Sequence, residues 1–240
     1  MFHRRAPEKP RRPLARRSVV RVLVAGIALC VAGCTTARAA PPASEPTSAS
    51  RYLALGDSFT IGTGATPAQS YPARLVALAS CGVELHNVAV NGYTTEDVID
   101  EELPELTRFT PTFVSLAIGA NDIVRGRTRD EYREHVRRIL AAVKASGAKR
   151  IVTLPQPDWS LSPAAQGFGE PSAIHARIVD ANATLRDETL AVGGTFVDLF
   201  PLMEGQARAR MIAGDGLHPS AAAYDAWAVE LARQGVSPCG

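Results

Sequence analysis

The chain has 240 residues, and its formal net charge of +2 is unevenly distributed. Residues 1–33 contain eight basic residues and one acidic residue, a net charge of +7; subtracting these from the totals of 26 and 24 leaves 18 basic and 23 acidic residues, a net charge of −5. Nucleic-acid binding needs basic residues clustered on the folded domain, so this distribution removes the main support for that class of function.

The first 33 residues have the three parts of an export signal: a basic stretch through Arg21, an apolar run from Val22 to Ala32, and small residues after it. The run is shorter than the roughly 20 apolar residues of a membrane-spanning helix. The sequence therefore predicts a signal peptide over 1–33 and an exported protein. Arg16-Arg17 would also permit twin-arginine export, although the residues that follow match that signal poorly.

The sequence around the end of the apolar run is compatible with two alternative cleavage sites. Val31-Ala32-Gly33-Cys34 resembles a bacterial lipobox, in which a lipid is attached to Cys34 and cleavage precedes it. This interpretation predicts a lipoprotein facing outward on the cell membrane. The alternative is cleavage after Ala37-Arg38-Ala39, which would discard Cys34 and release a secreted protein. Residues 34–50 are rich in Ala, Pro, Ser and Thr and are predicted to form a disordered tether.

From residue 51 onward, five short apolar runs alternate with five helical patterns. The apolar runs, which we interpret as strands, cover 52–55, 83–90, 113–118, 150–154 and 195–199. The helical patterns cover 67–80, 94–106, 129–146, 172–192 and 220–234. This alternation predicts one α/β domain over 51–240, with a parallel sheet covered by helices on both faces.

The four cysteines suggest one disulfide. Cys30 would leave with the leader, and lipidation of Cys34 would leave Cys81 and Cys239 as an even pair in an oxidising compartment. We expect a bridge between these two residues that fastens the C-terminal tail to the domain. The alternative is two unpaired thiols too far apart to meet.

Polar motifs follow three of the predicted strands. Gly56-Asp57-Ser58-Phe59 follows the first, Asn91-Gly92 the second, and Gly119-Ala120-Asn121-Asp122 the third. Ligands of parallel α/β sheets bind beyond the carboxyl ends of the strands. We therefore expect Ser58, Gly92 and Asn121 to lie at the same edge of the sheet.

A fourth motif, Asp215-Gly216-Leu217-His218-Pro219, precedes the last predicted helix and completes a set of groups for acyl transfer. A serine hydroxyl needs a base to act as a nucleophile at neutral pH, and an imidazole has a suitable proton affinity. We predict that Ser58 is the nucleophile and His218 the base. Asp215, three residues before His218, is predicted to orient the imidazole through its other ring nitrogen.

The four motifs, in this order, resemble the sequence blocks of the SGNH or GDSL hydrolases, which carry Ser, Gly, Asn and His. The resemblance extends from about Arg51 to Gln234. It implies a flavodoxin-like three-layer α/β/α sandwich with a parallel five-stranded sheet, and an esterase or lipase that forms an acyl-enzyme. It also implies an oxyanion hole made by the backbone N–H groups of Ser58 and Gly92 and the side-chain amide of Asn121.

Other polar residues are interpreted as structural. Asp57 and Asp122 are expected to brace their loops by accepting backbone hydrogen bonds. His86, His135 and His175 show no spacing typical of a metal site, so we predict no metal and no cofactor. An acidic group of residues is interpreted as a solvated helix face: Glu96, Asp97, Asp100, Glu101 and Glu102.

The sequence thus predicts an exported serine esterase, acting as a monomer on a small-molecule or glycan ester, with membrane contact only through a lipid anchor. The alternatives are a carbohydrate or cell-wall O-acetylesterase and a binding lipoprotein that has lost activity. The loop from Pro155 to Gly169, which carries Trp159, Leu161 and Phe168, is either one wall of the substrate pocket or a packed surface loop.

Overall fold

A computed structural model describes residues 49–239 of the protein. The predicted signal peptide over 1–33, the lipidation site at Cys34 and the tether as far as residue 48 lie outside these residues. The first strand begins at Ser50, one residue before the predicted start of the folded domain.

The described residues form a five-stranded sheet in which every neighbouring pair of strands is parallel, as predicted. The spatial order is β2-β1-β3-β4-β5. The strands are β1 (Ser50–Gly56), β2 (Val83–Asn87), β3 (Phe113–Ala117), β4 (Arg150–Thr153) and β5 (Thr195–Phe196).

Strand β1 lies between β2 and β3 and pairs with both. Tyr52 is opposite Leu85 on one side and Phe113 on the other. Residues 52–55 are completely buried, which agrees with their uninterrupted apolar run. The carboxyl ends of the three strands therefore lie next to each other.

Nine α-helices are present in residues 49–239. They are α1 (Ser58–Ile61), α2 (Tyr71–Ala77), α3 (Thr95–Asp97), α4 (Pro104–Phe109), α5 (Ala120–Val124), α6 (Arg129–Ala145), α7 (Pro171–Ala191), α8 (Phe200–Arg208) and α9 (Ala221–Arg233). Shorter 3-10 turns occupy Pro67–Gln69, Trp159–Leu161 and Pro163–Gly167, and one π-helical turn occupies Val98–Glu102.

The helices cover both faces of the sheet. Helix α2 packs against α9, and α6 packs against α7. The chain leaves β1 through α2 toward one edge of the sheet and then crosses in the opposite direction through α4, α6 and α7. Right-handed crossovers therefore place α2 on one face and α4, α6 and α7 on the other, and α9 lies on the face of α2 because it packs against that helix.

Helix α6 shows how sequence pattern sets the packing. Thr128 and Glu131 form a capping box at its start. Its buried side chains recur at helical spacing: Tyr132, Val136, Ile139, Leu140 and Val143. The apolar stripe therefore faces the sheet, while the polar residues between them face outward.

Two helices that the sequence predicted as continuous are interrupted. The pattern over 67–80 becomes a 3-10 turn followed by α2, and the pattern over 94–106 becomes α3, the π-helical turn and α4. Proline lacks a backbone N–H and is favoured in the first turn of a helix. Pro72 therefore lies in the first turn of α2, and Pro104 begins α4. In front of Pro104, the Leu103 N–H donates to the Val98 carbonyl, five residues back.

The C-terminal tail is fastened to the domain. A disulfide joins Cys81, which follows α2, to Cys239, with their Cα atoms 5.9 Å apart. Arg150 Nη1 also donates to the Ser237 carbonyl at 2.9 Å. The tail is thus held against the amino-terminal ends of the strands, where β1 and β4 begin.

Across the described residues, none of the helices has the length and apolar character needed to cross a membrane.

We expect the Cys81–Cys239 bridge to stabilise the domain, because it closes a loop of 158 residues in the unfolded chain. Loss of a native disulfide typically costs about 2–5 kcal/mol. Urea unfolding with and without reductant should therefore show a lower midpoint for the reduced wild-type protein. The double variant Cys81→Ser/Cys239→Ser should unfold at that lower midpoint in both conditions, and equal midpoints for oxidised and reduced wild type would contradict the expectation.

Candidate active site

Ser58 lies where β1 turns into α1. Asp57 caps this helix, and its Oδ1 accepts the Phe59 N–H at 3.0 Å. Gly56 makes the turn possible, because a Cβ atom there would lie 2.3 Å from the Ala117 carbonyl oxygen. The sharp turn leaves Ser58 7% exposed, at the carboxyl end of β1.

His218 and Asp215 form a local pair in the loop before α9. The His218 Nδ1 and Asp215 Oδ2 atoms are 2.7 Å apart, and Asp215 Oδ1 accepts the N–H groups of Leu217 and His218 at 2.9 and 3.0 Å. Partial burial alone would raise the pKa of Asp215, but these hydrogen bonds outweigh burial and lower it. Asp215 is therefore held as a carboxylate that can fix the imidazole tautomer.

The loop that carries His218 is braced on both sides. Ala213 N–H donates to the His218 carbonyl at 2.7 Å, and Ile212 and Pro219 form an isolated antiparallel bridge. Ser220 caps α9 by accepting the Ala223 N–H, as its position before the helical pattern suggests. The position of the imidazole is thus set by its own loop and by the start of α9.

Ser58 and His218, 160 positions apart, line one cavity of about 190 Å³. Gly92 and Asn121 line the same cavity. Within residues 49–239, no direct hydrogen bond joins Ser58 Oγ to the His218 ring; the Phe59 ring packs against that ring instead, with centroids 5.3 Å apart. Catalytic hydrogen bonds are often long in ligand-free sites and shorten when substrate binds.

The side chain of Asn121 is oriented by the neighbouring loop. Its Nδ2 donates one hydrogen to the Tyr93 carbonyl at 2.9 Å, which leaves the second hydrogen of the same amide. Gly92 has a positive φ of 83°, a conformation that favours glycine. A Cβ at Gly92 would have no heavy atom within 4 Å, so backbone conformation, and not crowding within the protein, explains this glycine.

Asp122 links the loops that carry Gly92 and Asn121. It is 2% exposed, and its two oxygens accept the Thr95 N–H at 3.0 Å and the Thr95 hydroxyl at 2.6 Å. Arg127 Nε lies 3.0 Å from Asp122 Oδ1. Burial raises the pKa of Asp122, while the Thr95 hydrogen bonds and Arg127 oppose the increase. The loop bracing expected for Asp122 thus extends across two strand ends.

Asp57 is a second buried carboxyl group, next to Ser58, just as Asp122 is next to Asn121. It is fully buried, and its Oδ2 accepts a hydrogen bond from Gln156 Nε2 at 3.3 Å. Gln156 in turn is bonded to Asn182 of α7 through its backbone N–H and carbonyl. Burial raises the pKa of Asp57 to about 7, although the Phe59 N–H opposes this change.

The interpretation of Glu102 as part of a solvated helix face is wrong. Glu102 is 1% exposed, and its Oε2 accepts the Gly56 N–H at 2.9 Å. Burial raises the pKa of Glu102 well above its ordinary value, so it favours the protonated form. The π-helical turn directs this residue inward, whereas Glu96, Asp100 and Glu101 are exposed as expected.

The loop from Pro155 to Gly169 forms part of the cavity wall. Trp159 and Phe168 line the cavity, with their rings in an edge-to-face contact and centroids 5.8 Å apart. Leu161 lines a separate groove instead. Of the two alternatives for this loop, the structure supports a pocket wall for Trp159 and Phe168.

The structure also brings together three side chains that sequence spacing did not relate. His175 Nδ1 lies 2.7 Å from Asp158 Oδ2, and Glu204 completes a group whose potential ligand atoms are within 4.8 Å of one another. These residues come from the loop after β4, from α7 and from α8, so no local motif could have revealed the group. The Asp158–His175 pair connects the loop that contains Trp159 to α7.

Comparison with known proteins identifies a family match. The model of the GDSL-like lipase/acylhydrolase family matches residues 54–226, a span that includes all four motifs. A search of curated proteins found no match.

Solved structures with the same fold include several ester hydrolases. An extracellular lipase from Streptomyces rimosus superposes with a TM-score of 0.64 at 22% identity, covering 78% of this chain and 100% of the lipase. An acetylxylan esterase, Axe2 from Geobacillus stearothermophilus, superposes with a TM-score of 0.63 at 20% identity, covering 79% and 95%. TesA superposes with a TM-score of 0.62 at 21% identity, covering 76% and 96%.

The raised pKa of Asp57 predicts a specific pH dependence of stability. The folded-state pKa of about 7 exceeds the ordinary value of 3.8, so between these values the folded protein retains a proton that the unfolded chain has lost. The contribution of Asp57 to stability is therefore fully present at low pH and is lost as the pH rises toward 7.

We expect the difference in unfolding free energy, Asp57→Asn minus wild type, to increase between pH 4 and pH 7, by at most about 1.4 kcal/mol per pH unit. Urea unfolding at pH 4.5, 6, 7 and 8.5 measures this difference. The matched control is Asp187→Asn on the exposed face of α7, which should show no such trend. A difference for Asp57→Asn that does not change with pH would contradict the prediction.

Proposed function

Because the chain belongs to the GDSL-like lipase/acylhydrolase family and is therefore a serine ester hydrolase, we propose that it cleaves carboxylic esters through an acyl-enzyme on Ser58. The observation that carries this proposal is the single cavity lined by Ser58, Gly92, Asn121 and His218, with Asp215 bonded to the imidazole. These groups correspond to a nucleophile, oxyanion donors, a base and its orienting carboxylate.

In the first half of the reaction, Ser58 Oγ attacks the ester carbonyl carbon, and its proton passes to His218 Nε2. Asp215 holds the hydrogen of His218 on Nδ1, so that Nε2 is free to accept. The tetrahedral intermediate then collapses, and the imidazolium donates its proton to the departing alcohol. In the second half, water attacks the acyl-enzyme with the same imidazole as base, which releases the acid and restores Ser58.

The proposed oxyanion donors are available in the free protein. Within the described part of the chain, the backbone N–H groups of Ser58 and Gly92 donate no hydrogen bond, and Asn121 Nδ2 keeps one free hydrogen. Preorganised donors of this kind stabilise the charge that develops on the carbonyl oxygen, and loss of one typically lowers turnover by about 10²–10³. The Asp122–Thr95 bonds support this role because they fix the two donor loops relative to each other.

We further propose that the enzyme is exported and acts as a monomer. All five proposed catalytic and oxyanion residues come from one chain, so the site is complete without a second copy. Export rests on the basic and apolar leader over residues 1–33, and anchoring to a membrane rests on the lipobox-like sequence ending at Cys34. Mass spectrometry of the mature N-terminus would separate a lipidated Cys34 from cleavage after Ala39.

Removal of the nucleophile tests the proposal. We expect Ser58→Ala to lower kcat/KM for p-nitrophenyl butyrate by about 10⁴ or more, because neither the base nor the oxyanion donors can replace the missing hydroxyl. The variant should keep its thermal midpoint near that of wild type. The matched control is Ser172→Ala, a surface serine at the start of α7, which should retain full activity. Wild-type hydrolysis by Ser58→Ala would refute the assignment.

A further inference from the structure

The cavity around Ser58 has a polar part and an apolar part. Asn91, Gly92, Asn121 and His218 form the polar part, and among the lining residues in the described chain His218 is the sole side chain with an acidic or basic group. The remaining lining residues are apolar: Phe59, Ala120, Val124, Trp159, Phe168 and Leu217. An apolar lining of this kind removes the methylene groups of an aliphatic chain from water, whereas it offers few hydrogen-bond partners to a polyhydroxylated group.

Three of the apolar residues separate this cavity from a neighbouring one. Phe59, Trp159 and Leu217 line the catalytic cavity and also a second cavity behind it. This second cavity has a volume of about 30 Å³, enough for about one water molecule but not for an alkyl chain. An acyl chain that starts at Ser58 therefore cannot continue through the wall into the protein interior.

The other end of the apolar surface is open. Phe168 and Val124 line the cavity but are 47% and 46% exposed, which makes them two of the most exposed large apolar side chains of the described domain. Phe168 is held by its edge-to-face contact with Trp159. A chain longer than the cavity must leave past these two side chains into water, where further methylene groups gain little contact.

The volume of the catalytic cavity limits the length of acyl chain that it can hold before the chain reaches water. A cavity of about 150 Å³ is known to take up benzene, which has about six heavy atoms. The catalytic cavity, at about 190 Å³, must also hold the ester carbonyl and its two oxygens. It therefore has room for an acyl chain of about four to six carbons.

We propose that this apolar surface is an acyl site for straight-chain acids of about four to six carbons, with Phe168 as its specificity-determining rim. This inference rests on the proposed function, because it places the acyl carbonyl at Ser58. Burial of a methylene group improves binding by up to about fourfold. Esters of butyric and hexanoic acid should therefore react faster than acetates, and acyl chains longer than about six carbons should gain nothing more.

The test is the kcat/KM of wild type for p-nitrophenyl acetate, butyrate, hexanoate, octanoate and decanoate, each below its aggregation concentration. We expect an increase of about tenfold or more from acetate to hexanoate and no further increase to decanoate. Values that are flat or fall from acetate upward would overturn the proposal and favour an acetylesterase. A continued increase through decanoate would also overturn it, because the cavity would then not limit chain length.

Substitutions at the exposed end of the cavity test whether the residues there determine the preference for acyl chain length. Phe168→Ala should lower the ratio of kcat/KM for hexanoate to that for acetate by about fivefold or more, and Val124→Ser should change the ratio in the same direction. Both residues are half exposed, so neither change removes a core contact. Leu190→Ala, which alters an exposed leucine on α7 away from the cavity, is the matched control and should leave the ratio unchanged.

An unchanged ratio in Phe168→Ala and Val124→Ser would refute the proposed rim. The chain-length test and the test of the proposed function can fail separately. Loss of all ester hydrolysis in Ser58→Ala would still support the acyl-enzyme, whatever the dependence of kcat/KM on chain length.

Discussion

The position of β1 between β2 and β3 in the parallel sheet is the constraint on which the site depends. Because β1 pairs with β2 on one side and β3 on the other, the loops that follow these three strands emerge next to each other. Ser58, Gly92 and Asn121 each follow one of these strands. The proposed base, His218, comes from a different part of the chain, the loop before α9, and its position depends on the packing of α9 against α2.

Buried carboxyl groups hold the strand-end loops in place. Asp57 caps the Ser58 turn, Glu102 accepts the Gly56 N–H, and Asp122 bonds the Thr95 segment to the Asn121 loop. Burial disfavours the charged form of each, and their pKa values are raised accordingly. Burying a carboxylate costs free energy that these hydrogen bonds offset only in part, so at neutral pH the residues fix the loop geometry at some cost in stability. We interpret the raised pKa values of these carboxyl groups as a consequence of positioning the proposed oxyanion donors.

The sequence predicted the fold and the grouping of the motifs because both follow from local patterns. Apolar runs identify buried parallel strands, and polar motifs at their carboxyl ends must share one edge; Asp215 and His218 are close enough in sequence for their contact to be local. Glu102 was misjudged because an acidic run looks solvated until the packing of its π-helical turn against β1 is known. The Asp158–His175 pair and the Phe168 rim depend on how separate segments pack, which residue spacing does not encode.

The central claim is that Ser58 and the imidazole of His218 act as one unit at this sheet edge. Labelling with a fluorophosphonate, followed by peptide mapping, tests it most directly, because the reagent reacts much faster with an activated serine than with an ordinary hydroxyl group. The account predicts a single covalent adduct on Ser58 in wild type and a strongly reduced labelling rate in His218→Ala. An adduct on another serine, no adduct in the folded wild-type protein, or equal labelling rates in the two proteins would contradict it.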